Sequence, residues 1–347
     1  METYDYVVVG AGSAGCVLGN RLSANPNRSV AVIEAGPDDD SLLIDMPRGL
    51  ARLYEPGSPY ISNYEVQRGN RQGIDNWMKG RCIGGSNSVD GMVYSRGVRQ
   101  DYDDWEAAGC TGWGWRHIGE AYKAIEGHAL AQAAWRGADG PLKVSTHNRR
   151  TELTEALIRA AEQAGVKRVS DLNNAPNGGV GYQPGTIYRG RRMSAARAFL
   201  HPARKRRNLT VKPNTKVLRV LFDRTRAVAL EVQDRAGVAR IGIGREVILS
   251  AGALETPKLL QLSGVGPGRR LQRLGIDIVT DHPNVGGNLR DHVNLNLKYH
   301  LSHGSFRHEF SGPRLLLNVL LFLLAHRGPM SFAAHEVGAF VKTRARL

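Results

Sequence analysis

YDYVVVGAGSAGCVLGNRLSANPNRSVAVIEAG, residues 4–36, holds in order the parts of a βαβ unit that binds an adenine dinucleotide. Tyr6 to Val9 form an apolar run, Gly10, Gly12 and Gly15 make a tight strand-to-helix turn, and Glu34 closes a second strand, Val30 to Ile33. Each residue type has a physical task. Without a Cβ at Gly12 the backbone can approach a diphosphate, whose charge rests on the unpaired N–H groups and positive dipole end of the following helix. Gly15 lets that helix lie close to the strand, and Ala14, Val17, Leu18 and Leu22 give it one apolar stripe. Glu34 follows the third glycine at close to the spacing, about 20 residues, at which a carboxylate accepts hydrogen bonds from an adenosine ribose. An acid there argues against a 2′-phosphate. The unit by itself leaves FAD and NAD both open.

At 347 residues and 41% hydrophobic, the chain is long enough for a sizeable core and suggests two domains. Its three cysteines, Cys16, Cys82 and Cys110, are odd in number and show neither a disulfide framework nor zinc-ligand spacing. No metal site is expected. Met1-Glu2-Thr3 leads straight into the first strand without a basic segment or cleavage region, so a cytoplasmic, reducing setting is the expectation. The most apolar stretch, Leu315 to Ala325, is about half the roughly 20 residues a bilayer span needs and contains Asn318. It reads as a buried helix, with peripheral membrane contact through Arg314 and Arg327 as the secondary reading. The net charge of +15 includes clusters at Arg189, Arg191, Arg192 and Arg197 and at Arg204, Lys205, Arg206 and Arg207. No aromatic interleaving or nucleic-acid module accompanies them, so they read as a solvated basic face and no specific nucleic acid is expected.

A second glycine-rich segment, KGRCIGGSNSVDGMVYSRG from Lys79 to Gly97, has the look of a cofactor-wrapping loop. Gly84, Gly85 and Ser86 can turn consecutive N–H groups toward phosphate or ring oxygens, with the Arg81 charge nearby. In DYDDWEAAGCTGWGW, residues 101–115, the tryptophans Trp105, Trp113 and Trp115 read as core. Thr151 to Gly165 is an amphipathic helix, and Asn173 to Gly185, dense in Asn, Gly and Pro, reads as a surface loop or domain junction. Val211 to Phe222, Ala227 to Val232 and Ala239 to Gly244 read as a β-meander leading to an apolar strand, Val247 to Leu249, which Ala251-Gly252-Ala253 breaks. Thr256 and Pro257 suit the N-cap and first position of a helix through Leu262 that Gly264 ends.

Four motifs taken together resemble the glucose-methanol-choline (GMC) family of FAD-dependent oxidoreductases, choline and alcohol dehydrogenase-like members among them. They are GAGSAG with Glu34, GRCIGGSNSVDGMVYSRG, SAGALETPKLLQLSGVGP from Ser250 to Pro267, and VGGNLRDH from Val285 to His292. The third is the most specific, and the resemblance decides for FAD. It implies an α/β fold: a Rossmann-like FAD-binding domain with a β-meander, plus an α+β substrate domain with an antiparallel sheet. The FAD domain would comprise residues 1–145 and 205–297, and a truncated substrate domain residues 146–204 and 298–347. Implied cofactor contacts are Gly10, Gly12, Ser13, Ala14, Gly15, Glu34 and Ala35 at the diphosphate and ribose, and Val217 at the adenine. On the flavin side they are Arg81, Gly84, Gly85, Ser86, Asp90, Gly91, Met92 and Val93, with Ala251 and Gly252 completing the set.

Two departures fall in the flavin-side loop. Most members carry Asn at Asp90 and a small hydroxyl residue or glycine at Asn87. A carboxylate at 90 would disfavour an anionic reduced flavin and lower its potential. Relatives that attach FAD covalently do so through a histidine where this chain has Val89, which implies noncovalent FAD. The family oxidises alcohols at the CH–OH group, a histidine taking the hydroxyl proton while hydride passes to flavin N5. That histidine and its partner belong to a C-terminal portion with no counterpart before Thr343-Arg-Ala-Arg-Leu347, and His282, His292, His326 and His335 are not in the matching context. No catalytic residue is assigned. The resemblance therefore implies an FAD-dependent oxidoreductase of alcohols with an unassigned electron acceptor, the alternative being a noncatalytic FAD-binding fragment.

Overall fold

The computed structural model describes residues 1–67, 73–146, 150–302 and 304–342, so the closing residues Thr343 to Leu347 lie outside the description. The chain divides into two compact units. One comprises Met1–Ser41, Leu53–Val89 and Ser194–Lys298, the other Leu42–Arg52, Asp90–Met193 and Tyr299–Leu347. Residues 90–145, expected in the FAD-binding domain, fall in the second unit.

The first unit is built on a six-stranded mixed sheet. The opening strand Glu2–Val9 lies parallel between Val30–Ile33 and the long strand Gly237–Leu249, and Leu209–Lys212 extends the parallel side beyond Val30–Ile33. Arg226–Asp234 and Lys216–Asp223 continue antiparallel on the other flank. Val30–Ile33 is buried on both faces, as its unbroken apolar run requires of a central parallel strand. Val7, Val9, Ala31, Ile33, Val220, Leu230, Ile241 and Leu259 form one core cluster, which joins the βαβ unit to the meander. The two expected strands at Ala239 to Gly244 and Val247 to Leu249 are a single 13-residue strand. Its far half has to pair with the opening strand, so no turn interrupts it.

Helix Gly252–Leu262 starts four residues before the expected N-cap. Pro257 sits inside it as its sixth residue, past the first turn, so its missing N–H withholds a bond that the Ala253 carbonyl would otherwise accept. A hairpin with no strong sequence signal, Ile61–Gln67 with Ile74–Gly80, precedes the second glycine-rich segment.

In the second unit, helix Glu152–Gln163 is capped by Thr151, whose Oγ1 accepts the Thr154 N–H. Within the expected loop of Asn173 to Gly185, Gly179–Tyr182 is a strand paired antiparallel with Val337–Phe340, and Val180 is buried. Small residues in this stretch serve close backbone packing: a Cβ on Gly181 would lie 2.4 Å from the Val169 carbonyl. Trp115 is half-buried, but the other two expected core tryptophans are not core. Trp105 and Trp113 are 49% and 54% exposed, packed edge-on to each other beside the buried Tyr102. The buried interior holds ions instead: the Glu126 carboxylate receives Arg96 and Arg136, each at 2.6 Å, and Arg136 also reaches Asp171.

Helix Gly312–Ala325 forms where an apolar helix was expected, but only Asn318 and Phe322 of it are buried. Leu316, Leu317, Leu320 and Leu324 are 50–78% exposed. Asn318 is buried because its amide donates to the Glu309 carbonyl and carboxylate, which fixes the face that turns inward. Among the described residues, no helix is long and apolar enough to cross a membrane.

Candidate cofactor site

At the C-terminal ends of the parallel strands the first unit holds a cleft of about 600 Å³, where open α/β sheets place their ligands. Its floor is the turn after the opening strand. Gly15 lies so close beneath that turn that a Cβ on it would sit 1.9 Å from the Gly10 carbonyl oxygen. Helix Ser13–Leu22 begins at Gly12 with no side-chain cap and no acidic residue in its first turn. Its first N–H groups and positive dipole end are therefore presented at a wall made by Gly12, Ser13 and Ala14. A Cβ on Gly12 would meet only the Ser250 carbonyl oxygen, at 3.9 Å, so the space over this residue belongs to the cleft.

The second glycine-rich segment leans on the first. The Gly84 N–H donates to the Ala11 carbonyl at 2.7 Å, and Gly85, at φ +59, would place a Cβ 2.8 Å from Gly12 Cα. Only glycine meets both conditions at 85.

Glu34 is 7% exposed. Its two carboxylate oxygens accept the Ala11 and Gly36 N–H groups, each at 2.9 Å, so the acid ties the first turn to the end of the second strand. Burial raises its pKa, opposed by those amides and by the Arg81 charge.

Twelve of the expected cofactor residues line this cleft: Gly10, Gly12, Ser13, Ala14, Glu34, Ala35, Arg81, Gly85, Ser86, Val217, Ala251 and Gly252. Gly15 and Gly84 support its walls from behind. Asp90, Gly91, Met92 and Val93 do not line it and belong to the second unit. There the Asp90 carboxylate accepts the Met92 N–H and a guanidinium N–H of the buried Arg192, both at 2.9 Å, so its negative charge is offset in place. Gly91 packs on the His335 imidazole. The amide oxygen of Asn87, the other departing position, accepts the Ala195 N–H at 2.6 Å and so anchors the loop.

Sequence reasoning passed over three sets of lining residues. Ser62, Tyr64 and Lys79 come from the hairpin, Thr215 and Lys216 from the start of the meander, and Glu255 and Lys258 from helix Gly252–Leu262. Tyr64 donates to the Glu255 carboxylate at 3.0 Å, and burial beside that acid pushes its phenol up to about 12. The alternation of Ile61, Asn63 and Glu65 with Tyr64 and Val66 was the available signal for the hairpin. The residues on helix Gly252–Leu262 stood inside a motif already noted.

The fold is that of a dinucleotide-binding α/β protein. The GMC oxidoreductase family profile matches residues 4–294, and the chain belongs to that family, whose cofactor is FAD. It is 40% identical over 352 residues to human mitochondrial choline dehydrogenase, covering 99% of this chain and 59% of that relative. It is also 38% identical to an alcohol dehydrogenase [acceptor] of Pseudomonas putida, covering 98% and 63%. Among solved structures it resembles an FAD-dependent oxidoreductase from Chaetomium thermophilum, with a TM-score of 0.86, 28% identity, and coverage of 96% of this chain and 61% of that one. A pyridoxine 4-oxidase from Mesorbium loti has a TM-score of 0.76 and 35% identity, with coverage of 81% and 56%. The chain thus spans about three fifths of the length of the curated relatives it matches.

Proposed function

We propose that the first unit holds FAD noncovalently in this cleft and that the protein serves as an FAD-dependent oxidoreductase of CH–OH donors, choline or another small alcohol. The observation that carries the reading is the uncapped helix N-terminus at Gly12 facing a cleft that a buried acid, Glu34, also lines. The N–H groups of Ser13 and Ala14 bind the diphosphate, Glu34 accepts the ribose hydroxyls, and Val217 packs on the adenine. Arg81 and Lys216 add positive charge at the wall. The flavin, when bound, is the acceptor of the hydride removed from the alcohol carbon. By the family resemblance, residues 1–145 and 205–297 are proposed as the FAD-binding domain, a division wider than the first unit, and the remainder as the substrate domain.

A second reading, cofactor binding without turnover, draws on one observation: among the described residues, no histidine lines the cleft. The test of the first is direct. The purified chain, incubated with FAD and passed through gel filtration, is expected to retain flavin absorbance at close to one per chain. Protein that elutes folded and colourless overturns the assignment.

A further inference from the structure

The second unit carries an aromatic cluster that holds cations over two of its rings and none over the two most exposed. Helix Arg99–Ala107 and helix Trp115–Ile125 bring Tyr102, Trp105, Trp115 and Tyr122 together, with neighbouring ring centroids 5.3–6.3 Å apart. Trp113, from the turn between the helices, adds a ring 6.2 Å from Trp105 and inclined at 63° to it. The Arg96 guanidinium lies over Tyr122 at 4.8 Å and that of Arg99 over Trp115 at 5.4 Å. Among the described residues no cation lies over Trp105 or Trp113, although both rings are about half exposed.

The charge around these two rings is negative. Residues 100–115 contain four acids, Asp101, Asp103, Asp104 and Glu106, and no Lys, Arg or His, in a chain whose net charge is +15. Their hydrogen-bond donors are neutral. Asp101 accepts the Val98 N–H at 3.1 Å, Asp103 the Trp115 N–H at 2.9 Å, Asp104 the Gln100 amide at 2.7 Å and Glu106 the Gly112 N–H at 3.0 Å. A Cβ on Gly114 would lie 2.2 Å from Glu106 Oε2, so the turn rests on that carboxylate, which keeps Trp113 beside Trp105. Asp101 stands one turn before Trp105, on the same helix face.

An indole face attracts a cation within about 6 Å of its centroid. A metal ion or a primary ammonium holds its water tightly at half-exposed carboxylates, and a planar guanidinium suits a single ring face. A tetrahedral quaternary ammonium has no N–H to leave unpaired and can set methyl groups against two inclined rings at once. We propose that Trp105 and Trp113, with Asp101 and Glu106, form a binding site for a small quaternary ammonium cation. The rings supply the contact surface and the acids the opposite charge. None of the four residues lines the cofactor cleft, so the site stands or falls independently of flavin binding.

The test is to titrate the purified 347-residue chain with tetramethylammonium chloride at constant ionic strength. Intrinsic tryptophan fluorescence and saturation transfer from the protein to the methyl protons are the two readouts. Saturable binding is expected for tetramethylammonium and for choline, with 3,3-dimethyl-1-butanol, the neutral isostere of choline, at least about 10-fold weaker. Trp113→Leu should weaken tetramethylammonium by about 5- to 30-fold at an unchanged thermal midpoint, since the ring is already half exposed. Asp101→Asn with Glu106→Gln keeps acceptors for the Val98 and Gly112 N–H groups; it should also weaken binding and flatten its dependence on salt. Absence of saturable binding overturns the proposal, as does binding that Trp113→Leu leaves intact. Equal affinity for the neutral isostere overturns it in favour of an apolar patch. Displacement of tetramethylammonium by calcium at a lower concentration overturns it in favour of a metal site. Capture by phosphatidylcholine vesicles that depends on Trp113, without binding of free tetramethylammonium, overturns it in favour of a lipid headgroup.

Discussion

Gly12 and Gly15 stand three residues apart and are glycines for opposite reasons. A side chain at 12 would meet only the Ser250 oxygen at 3.9 Å, whereas one at 15 would run into the Gly10 carbonyl at 1.9 Å. Gly12→Val should therefore leave the fold standing and remove FAD, seen as a normal thermal midpoint with no flavin after gel filtration. Gly15→Ala should instead destabilise the chain itself by about 3 kcal/mol, the upper range for forced overpacking, in a denaturant titration without cofactor. Equal behaviour of the two variants would contradict the assigned roles. Glu34→Ala should weaken FAD by about 1.5–3 kcal/mol, the scale of hydrogen bonds to a charged group, read by fluorescence titration. An unaltered affinity in folded variant protein would take Glu34 out of the site.

Among the elements, those with a strict pattern were legible and those shaped by distant contacts were not. The βαβ unit could be read because its glycines and acid answer to local geometry, and the structure places Gly10, Gly12 and Glu34 around one cleft. The hairpin Ile61–Gln67 with Ile74–Gly80 escaped because its exposed positions carry mixed chemistry. Pro257 misled, since a proline usually marks the first turn of a helix, and here it lies in the second. Trp105 and Trp113 misled because size was taken for burial. The short strand Glu126–His128, paired in parallel with Leu142–Val144, was also invisible, and its Glu126 carboxylate receives the Arg96 and Arg136 guanidinium groups. Within it, His128 is 4% exposed and its Nδ1 accepts the Leu130 N–H. Burial, aided by the Arg136 charge, lowers its pKa from 6.5 to about 4. The unfolded chain thus binds a proton that the folded one refuses between those values, so stability is complete above pH 6.5 and falls as pH drops toward 4. The loss should approach about 3 kcal/mol. His128→Asn, which keeps an acceptor and cannot titrate, should flatten that part of a pH series of urea midpoints; a slope identical to wild type would assign the acid sensitivity elsewhere.

For the whole molecule, holding FAD and turning over alcohol are separable. Positioned proton transfer contributes about 10²–10⁴-fold to such rates, and among the described residues the cleft wall offers no histidine for it. The FAD-loaded 347-residue chain should accordingly bleach its flavin with choline or aliphatic alcohols at least about 100-fold more slowly than family members that carry the full fold. Anaerobic absorbance at the flavin band is the measurement, and bleaching at comparable rates would show that a base is present. The opening strand carries one more implication, for biosynthesis. Its residues 2–9 pair on one side with residues 241–249, so the dinucleotide motif, although translated first, has no far wall until the other end of the sheet has been made. At about 5–20 residues per second the interval is roughly 10–50 s. During that time Val7 and Val9 lack their eventual neighbour, and the nascent chain, rather than the finished protein, is the form most exposed to wrong strand partners and to chaperones.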